Sequence, residues 1–261
     1  MRSVNQFFAL FSFFVFLPSA AGLFSQSPLS VAAKSFQYTM KSNEGTNGSA
    51  VAYDPVKNVY VAVIAGNASF PLEGFDASGR SLFSIEAGFD YRGMWYNSAT
   101  KRFEGNGSGL SGYVAFNLAN NNMPTMVQNT VSGQNQPEFQ SVGCFYAKKK
   151  KVCFLNIPNG SIDMYPANKA GKPKSVKLNT SELNNLNVYG LGYTGVSGYE
   201  FVCLDAIKKS LVFFNAKGNM TGSTKLPAGA PVYDIFAFSY ANGHAFLYDK
   251  EDRVWHAYKV F

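Results

Sequence analysis

An aromatic residue followed by Asp, Asn or a substitute recurs five times along the chain, as Phe75-Asp76, Phe116-Asn117, a degenerate Tyr165-Pro166, Phe214-Asn215 and Tyr258-Lys259, at steps of 41, 49, 49 and 44 residues. Self-similarity at ~45 residues implies a stacked or radial array in which each repeat is one supersecondary unit. Each copy ends an apolar run and opens a turn, most clearly in Phe75-Asp-Ala-Ser-Gly79 and Phe214-Asn-Ala-Lys-Gly218, so the pair marks one hairpin per unit. Phe, Tyr and Gly are abundant, and no window keeps helical periodicity beyond two turns. The units are therefore built of strands.

Superposing the units gives four strands in each, lettered a to d from the inside outward. In the fourth unit residues 189–193 supply a, 199–204 b, 210–214 c and 221–226 d; in the fifth, 233–238 supply a, 244–248 b and 254–258 c. The two align without a gap at an offset of 44, with Tyr189 on Tyr233, Asp205 on Asp249 and Lys209 on Arg253. The fifth unit ends one strand short at Phe261, while Ser35-Phe-Gln-Tyr-Thr-Met40 precedes the first unit with no hairpin partner nearby. Pairing the two closes the ring and removes the exposed edges. The expected fold is all-β: a single five-bladed β-propeller over residues 35–261, closed by an N-terminal strand. Six blades are disfavoured, because residues 120–138, in one of the long spacings, are too polar to hide one.

The first residues read as a secretory signal: Arg2, an apolar run over residues 7–17, then Pro18 and the small residues Ser19, Ala20 and Ala21. Removal of residues 1–21 is expected, with a site nearer Ser25 as the variant, leaving residues 22–34 as a short linker. A membrane anchor is the competing reading, since the apolar stretch nearly reaches spanning length; Pro18 and the small residues favour cleavage. No other stretch approaches a membrane span, so the mature chain is expected to be secreted, or periplasmic in a bacterium. The net charge of +7 favours an acidic partner.

Cys144 and Cys153 flank Phe-Tyr-Ala-Lys-Lys-Lys-Lys-Val. With Lys148 and Lys149 at the centre of a hairpin turn, the two cysteines face each other, either as a cross-strand disulfide or as two small buried hydrophobes. Cys203 takes the place of Cys153 in the next repeat and is expected to be a core thiol.

The strings Gly48-Ser-Ala-Val-Ala-Tyr-Asp-Pro55, Val59-Tyr-Val-Ala-Val63 and Phe75-Asp-Ala-Ser-Gly79 resemble the NHL-repeat and YncE-like β-propellers. The resemblance implies the fold. Such families hold scaffolds, ligand binders, hydrolases and lactonases, so it leaves the activity open.

Propeller topology sorts candidate residues by face: d-to-a and b-to-c loops share one face, a-to-b and c-to-d turns the other. The first should carry Asp90, Arg92 and Asp234 near the entries to strands a, with Asp205 and Asp249 in b-to-c turns. Tyr91, Tyr189 and Tyr233 near the same rim would stack on sugar rings in a lectin-like site or serve as core. The opposite face collects Arg80, Lys101, Arg102, Lys148, Lys149, Lys150, Lys151, Lys169, Lys172 and Lys217 as a basic ring, either solubilising hairpin tips or capturing a polyanion. Sequons begin at Asn47, Asn67, Asn106, Asn159, Asn179 and Asn219, all but the last in segments assigned to the first face. They are N-glycosylation sites in a eukaryotic secretory pathway and turn formers otherwise.

Motifs of catalysis are thin: no HExxH, GxSxG, Gly-rich phosphate loop or CxxC pair is present. No metal or cofactor is expected, and His244 and His256 read as ordinary strand residues. The expectation is an extracellular binding or interaction module for a glycan, polyanion or protein, without a nucleic-acid-binding motif. The alternative is a glycoside hydrolase, with Asp90 and Asp234 as the carboxylate pair to test first.

Overall fold

The computed structural model describes residues 26–261; the signal-like residues 1–21 and both cleavage positions lie outside the described residues. After β1 (Ala33–Thr39), four blades follow in chain order, each a four-stranded antiparallel sheet. Blade 1 is β2 (Asn47–Asp54), β3 (Val59–Ala65), β4 (Pro71–Phe75) and β5 (Ser81–Glu86); blade 2 is β6 (Tyr91–Asn97), β7 (Arg102–Gly107), β8 (Tyr113–Phe116) and β9 (Gln128–Val131). Blade 3 is β10 (Cys144–Tyr146), β11 (Lys151–Asn156), β12 (Ser161–Pro166) and β13 (Lys174–Lys177); blade 4 is β14 (Gly192–Tyr193), β15 (Phe201–Asp205), β16 (Ser210–Phe214) and β17 (Met220–Lys225). Blade 5 takes β18 (Phe238–Ala241), β19 (His244–Asp249) and β20 (Val254–Lys259) from the end of the chain and β1 from its start, in the order β18-β19-β20-β1. The fold is thus a five-bladed β-propeller closed by an N-terminal strand.

The recurring aromatic pair ends strand c of every blade. Asp76 Oδ1 accepts from the backbone N–H of Ser78 (2.9 Å) and Arg80 (3.0 Å), and Asn215 Oδ1 accepts from Lys217 (2.9 Å) and Asn219 (3.1 Å). Both turns then need a glycine at positive φ, Gly79 at 81° and Gly218 at 84°. A Cβ at either would collide with a carbonyl on the outer strand of the preceding blade, Gln37 or Lys177. The pair therefore makes the turn and docks it on the neighbouring blade.

Closure rests on more than one ladder. β1 pairs with β20 in the register Phe36 to Ala257 and Tyr38 to Trp255. The residues expected to be a linker are bonded too: Ala32 N–H donates to Lys225 O (2.9 Å), Lys225 N–H to Ser30 O (3.0 Å) and Leu29 N–H to Val260 O (2.8 Å), strapping blade 4 to blade 5. Beyond β1, buried Glu73 of blade 1 accepts from the backbone N–H of Lys41 (2.9 Å) and Ser42 (2.8 Å), from Ser84 Oγ (2.9 Å) and from Tyr38 Oη. Arg253 of blade 5 donates to Ser42 O (2.7 Å) from the other side.

Strand a of blade 5 departs from expectation: β18 covers residues 238–241 rather than 233–238. Gly192 faces Val202, ten residues on, whereas Ser239 faces Phe246, seven residues on. The a-to-b connection of blade 5 has contracted by three residues to Asn242-Gly243, with both φ positive (49° and 75°), the turn that best matches strand twist. A gapless alignment with blade 4 cannot register that change. Strand a of blade 4 is also shorter than expected, two residues rather than five.

Apolar side chains gather into one cluster per seam between blades. The clusters at the 1/2, 3/4, 4/5 and 5/1 seams hold 14, 13, 13 and 13 buried residues; the 2/3 seam holds six, Trp95, Tyr113, Val131, Phe145, Val152 and Phe154. A sixth cluster joins Ala65, Val142, Phe236 and Tyr189 from four different blades or their connections. Such residues meet at the axis, so this cluster caps the central channel on the d-to-a face.

Candidate functional site

On the d-to-a face the two candidate carboxylates, Asp90 and Asp234, have different surroundings. Asp90 forms an ion pair with Arg92 and accepts from Gly66 N–H (2.9 Å); Arg92, 5% exposed, also donates to Gln140. Both side chains are thereby spent on holding loops together. Asp234 lies exposed in another loop, its backbone carbonyl accepting from Val188 N–H (2.8 Å). Tyr91 belongs to the 1/2 core rather than to a rim: it is fully buried, its hydroxyl has no partner among the described residues, and burial pushes its pKa well up. Tyr189 packs on Phe236 in the cap, with ring centroids 5.5 Å apart, and Tyr233 lies under Lys250 Nζ at 4.6 Å.

The opposite face concentrates its charge at one place. Where the 2/3 seam lacks apolar filling, a pocket of about 710 Å³ opens among the a-to-b turns of blades 2 and 3 and the c-to-d connection of blade 3. Five of its lining residues are cationic: Arg102, Lys149, Lys150, Lys151 and Lys169. The expected ring is thus uneven. Lys148 is exposed beside the pocket without lining it, and Arg80 is held by Asp76 at 3.0 Å. The lysine turn takes its shape from Lys150 at φ 52°, and Lys149 Nζ sits 5.6 Å from the Tyr146 ring.

The pocket's inner wall carries a buried carboxylate. Two ladder pairs in from the a-to-b turn, blades 1 and 3 place Val61 and Cys153 on strand b; blade 2 places Glu104. Its cost in desolvation is offset by donors: Trp95 Nε1 (3.2 Å), Asn97 Nδ2 (3.0 Å) and Thr100 Oγ1 (2.8 Å), with Arg102 Nη2 at 3.9 Å. Arg102 Nε is buried without a hydrogen-bond partner among the described residues. With four lysines and Arg102 against one buried carboxylate, the pocket has a positive surplus suited to an anion. The lysines were legible as a turn. Glu104 was detectable only by aligning strand b of every blade, as a charge in an apolar column.

The 2/3 seam is zipped at its other end by Asn106, whose Oδ1 accepts from Gly143 N–H (3.0 Å) and whose Nδ2 donates to Gln136 Oε1 (2.9 Å) and Ser141 O (2.8 Å). Asn106 is fully buried, so this sequon has no room for a glycan in the folded chain. Asn67, Asn159, Asn179 and Asn219 are exposed and Asn47 half-buried. Asn179 and Asn219, assigned to opposite faces, form a parallel bridge at the perimeter, where the twist of the outer strands brings the two faces together.

Cys144 and Cys153 stand directly opposite across the β10–β11 hairpin as free thiols, and Cys203 is free in the same 3/4 cluster. Burial raises all three, Cys203 to about 12, so they are neutral and unreactive as nucleophiles. No group of three or more metal-ligating side chains occurs among the described residues, and no helix there is long and apolar enough to cross a membrane.

No protein family and no curated protein matches the chain in sequence. Solved structures do match in shape. A protein of unknown function from Bacteroides thetaiotaomicron superposes with a TM-score of 0.52 at 10% identity, over 88% of this chain and 73% of that one. A streptogramin B lyase gives 0.48 at 9% over 86% of each, and a chain of the nidogen/laminin complex gives 0.42 at 11%, over 70% of this chain and 65% of its own length. These neighbours are β-propeller proteins of varied function, and the likeness is one of fold.

Proposed function

We propose that this chain is an exported β-propeller binding module of NHL-repeat/YncE-like type that holds an acidic glycan in the pocket between blades 2 and 3. The observation that carries this reading is the half-filled seam. Protein interiors are close-packed, and an unfilled core volume lowers stability. Here one seam of five forgoes that packing and lines the space with five cations. Lysines that only kept hairpin tips soluble would have no need of a pocket beneath them.

Titration with a hyaluronan tetrasaccharide, at about 50 mM and about 300 mM NaCl, should show affinity falling with salt as screening shortens the reach of the lysines. Replacing Lys149, Lys150 and Lys169 together by alanine should weaken binding about 30-fold, at ~0.7 kcal/mol per partly exposed ion pair. Binding that survives this triple change, or that ignores salt, contradicts the reading.

A further inference from the structure

The central channel is a second cavity on the same face. About 290 Å³ in volume, it is lined by the inner strands of all five blades and opens beside Pro55, Ala147 and Asn242 in the a-to-b turns. The apolar cluster around Phe236 caps its far end. None of its lining residues carries a charge, and Tyr53, Tyr96, Tyr193 and Tyr240 line it as half-buried side chains. Tyr240 Oη is buried with no hydrogen-bond partner among the described residues. Asn242 Nδ2 is fixed by Tyr60 Oη (2.7 Å).

Only a thin wall separates the channel from the basic pocket. Phe145 lines both cavities, and Trp95 lines the channel while its Nε1 donates to Glu104 in the pocket (3.2 Å). We propose that the channel mouth is a subsite for one neutral sugar ring, so that the ligand of this face is an acidic oligosaccharide with its anionic unit among the lysines and the adjacent neutral unit against the tyrosines. The assignment rests on the anion-binding reading above. The volume lies at the small end of ligand pockets, ~300 Å³, which suits one ring rather than a chain. Tyrosine faces stack on the C–H face of a pyranose while hydroxyls meet its polar edge, and the absence of charge rejects a second acidic unit by leaving it desolvated and unpaired.

The chain has two tryptophans, and Trp255 is buried in the 5/1 seam, so Trp255→Phe leaves Trp95 as a reporter between the two cavities. In that background, neutral N,N′-diacetylchitobiose, seating one of its two rings in the channel mouth, should change Trp95 emission with a salt-independent isotherm, and hyaluronan tetrasaccharide should bind more tightly with salt dependence. Tyr193→Ala, or Tyr96→Ala as a second variant should the first not fold, should weaken both ligands about tenfold, the worth of one well-placed aromatic contact. Lys149→Ala with Lys150→Ala should weaken only the acidic ligand. A tetrasaccharide that loses affinity on lysine replacement yet ignores both tyrosine variants, with diacetylchitobiose silent, overturns the channel assignment and leaves the anion site standing. A response to phenol in place of diacetylchitobiose also overturns it. A tetrasaccharide indifferent to the lysines removes the anion site itself.

Discussion

The 5/1 and 2/3 seams solve the same packing problem in opposite ways. The ring closes without a covalent link inside blade 5, where β20 meets β1, and the chain fills the adjoining 5/1 seam with 13 buried apolar residues. Tyr38 stacks on Phe75 at 4.2 Å with planes 7° apart, Ser239 Oγ bonds both the N–H (2.9 Å) and C=O (3.0 Å) of Val51, and Gly48 lets Tyr248 and Trp255 lie against the backbone. At the 2/3 seam, away from that closure, only one end is zipped, through Asn106 and the close approach of Gly93 to Gly143. The other end is left open and charged. The seam beside the non-covalent closure is packed throughout, whereas the 2/3 seam, between two blades whose four strands each follow one another in the chain, gives up packing at one end for a pocket.

The difference predicts unequal responses to substitution. The largest effect is expected at the closing strand: Tyr38→Ala removes a fully buried ring stacked on Phe75 across the 5/1 seam and a donor to Glu73, and should cost ~4 kcal/mol in denaturant unfolding. A change below ~1 kcal/mol would show that the seam does not depend on β1. Next comes the zipped end of the 2/3 seam. Asn106→Ala leaves Gly143 N–H and the Ser141 carbonyl unpaired and should cost ~2–3 kcal/mol. Peptide mapping after eukaryotic secretion should find Asn106 bare even where exposed Asn159 is modified, and a glycan at Asn106 would refute its buried placement.

Smaller still is the pH response of the closing blade. Burial, the largest cause in each case, lowers the pKa of His244 and His256, with Lys259 and Lys34 respectively adding to the shift. The unfolded chain therefore takes up these protons first, and stability should be level above the ordinary histidine value of ~6.5 and fall as pH drops below it. Both groups are partly exposed, so the loss should stay under ~1 kcal/mol between pH 7 and 5. Unfolding midpoints across that range should fall in the wild type and flatten in the His244→Gln/His256→Gln variant; a midpoint that rises on acidification would reverse the assignment. Smallest of all is Lys150→Ala on stability, within ~0.5 kcal/mol, because the open end of the seam holds no packing to lose.

Much of this architecture is written locally. The aromatic pair with its glycine names strand c and the turn after it, and an unpaired strand at residues 35–40 beside a three-stranded final repeat names the closure. Strand a of blade 5 was hidden by the three-residue contraction at Asn242-Gly243, which shifts the register while strands b and c stay aligned. The site was half legible. The lysine turn stands out in the chain, but a pocket between blades depends on which seam is underfilled, a sum over strands far apart in sequence. Tyr91, Arg92 and Asn106 show the converse: polar or aromatic residues near a strand end look functional until burial reveals what they hold together.

Hydrogen–deuterium exchange with and without hyaluronan tetrasaccharide compares the two seams in one experiment. Ligand should slow exchange in residues 97–102, 147–151 and 166–169 at the 2/3 seam and leave residues 36–42 and 254–258 at the 5/1 seam unchanged. Protection centred instead on the loops around Asp90 and Asp234, with the lysine turn unaffected, would contradict the assignment of the binding site to the underfilled seam.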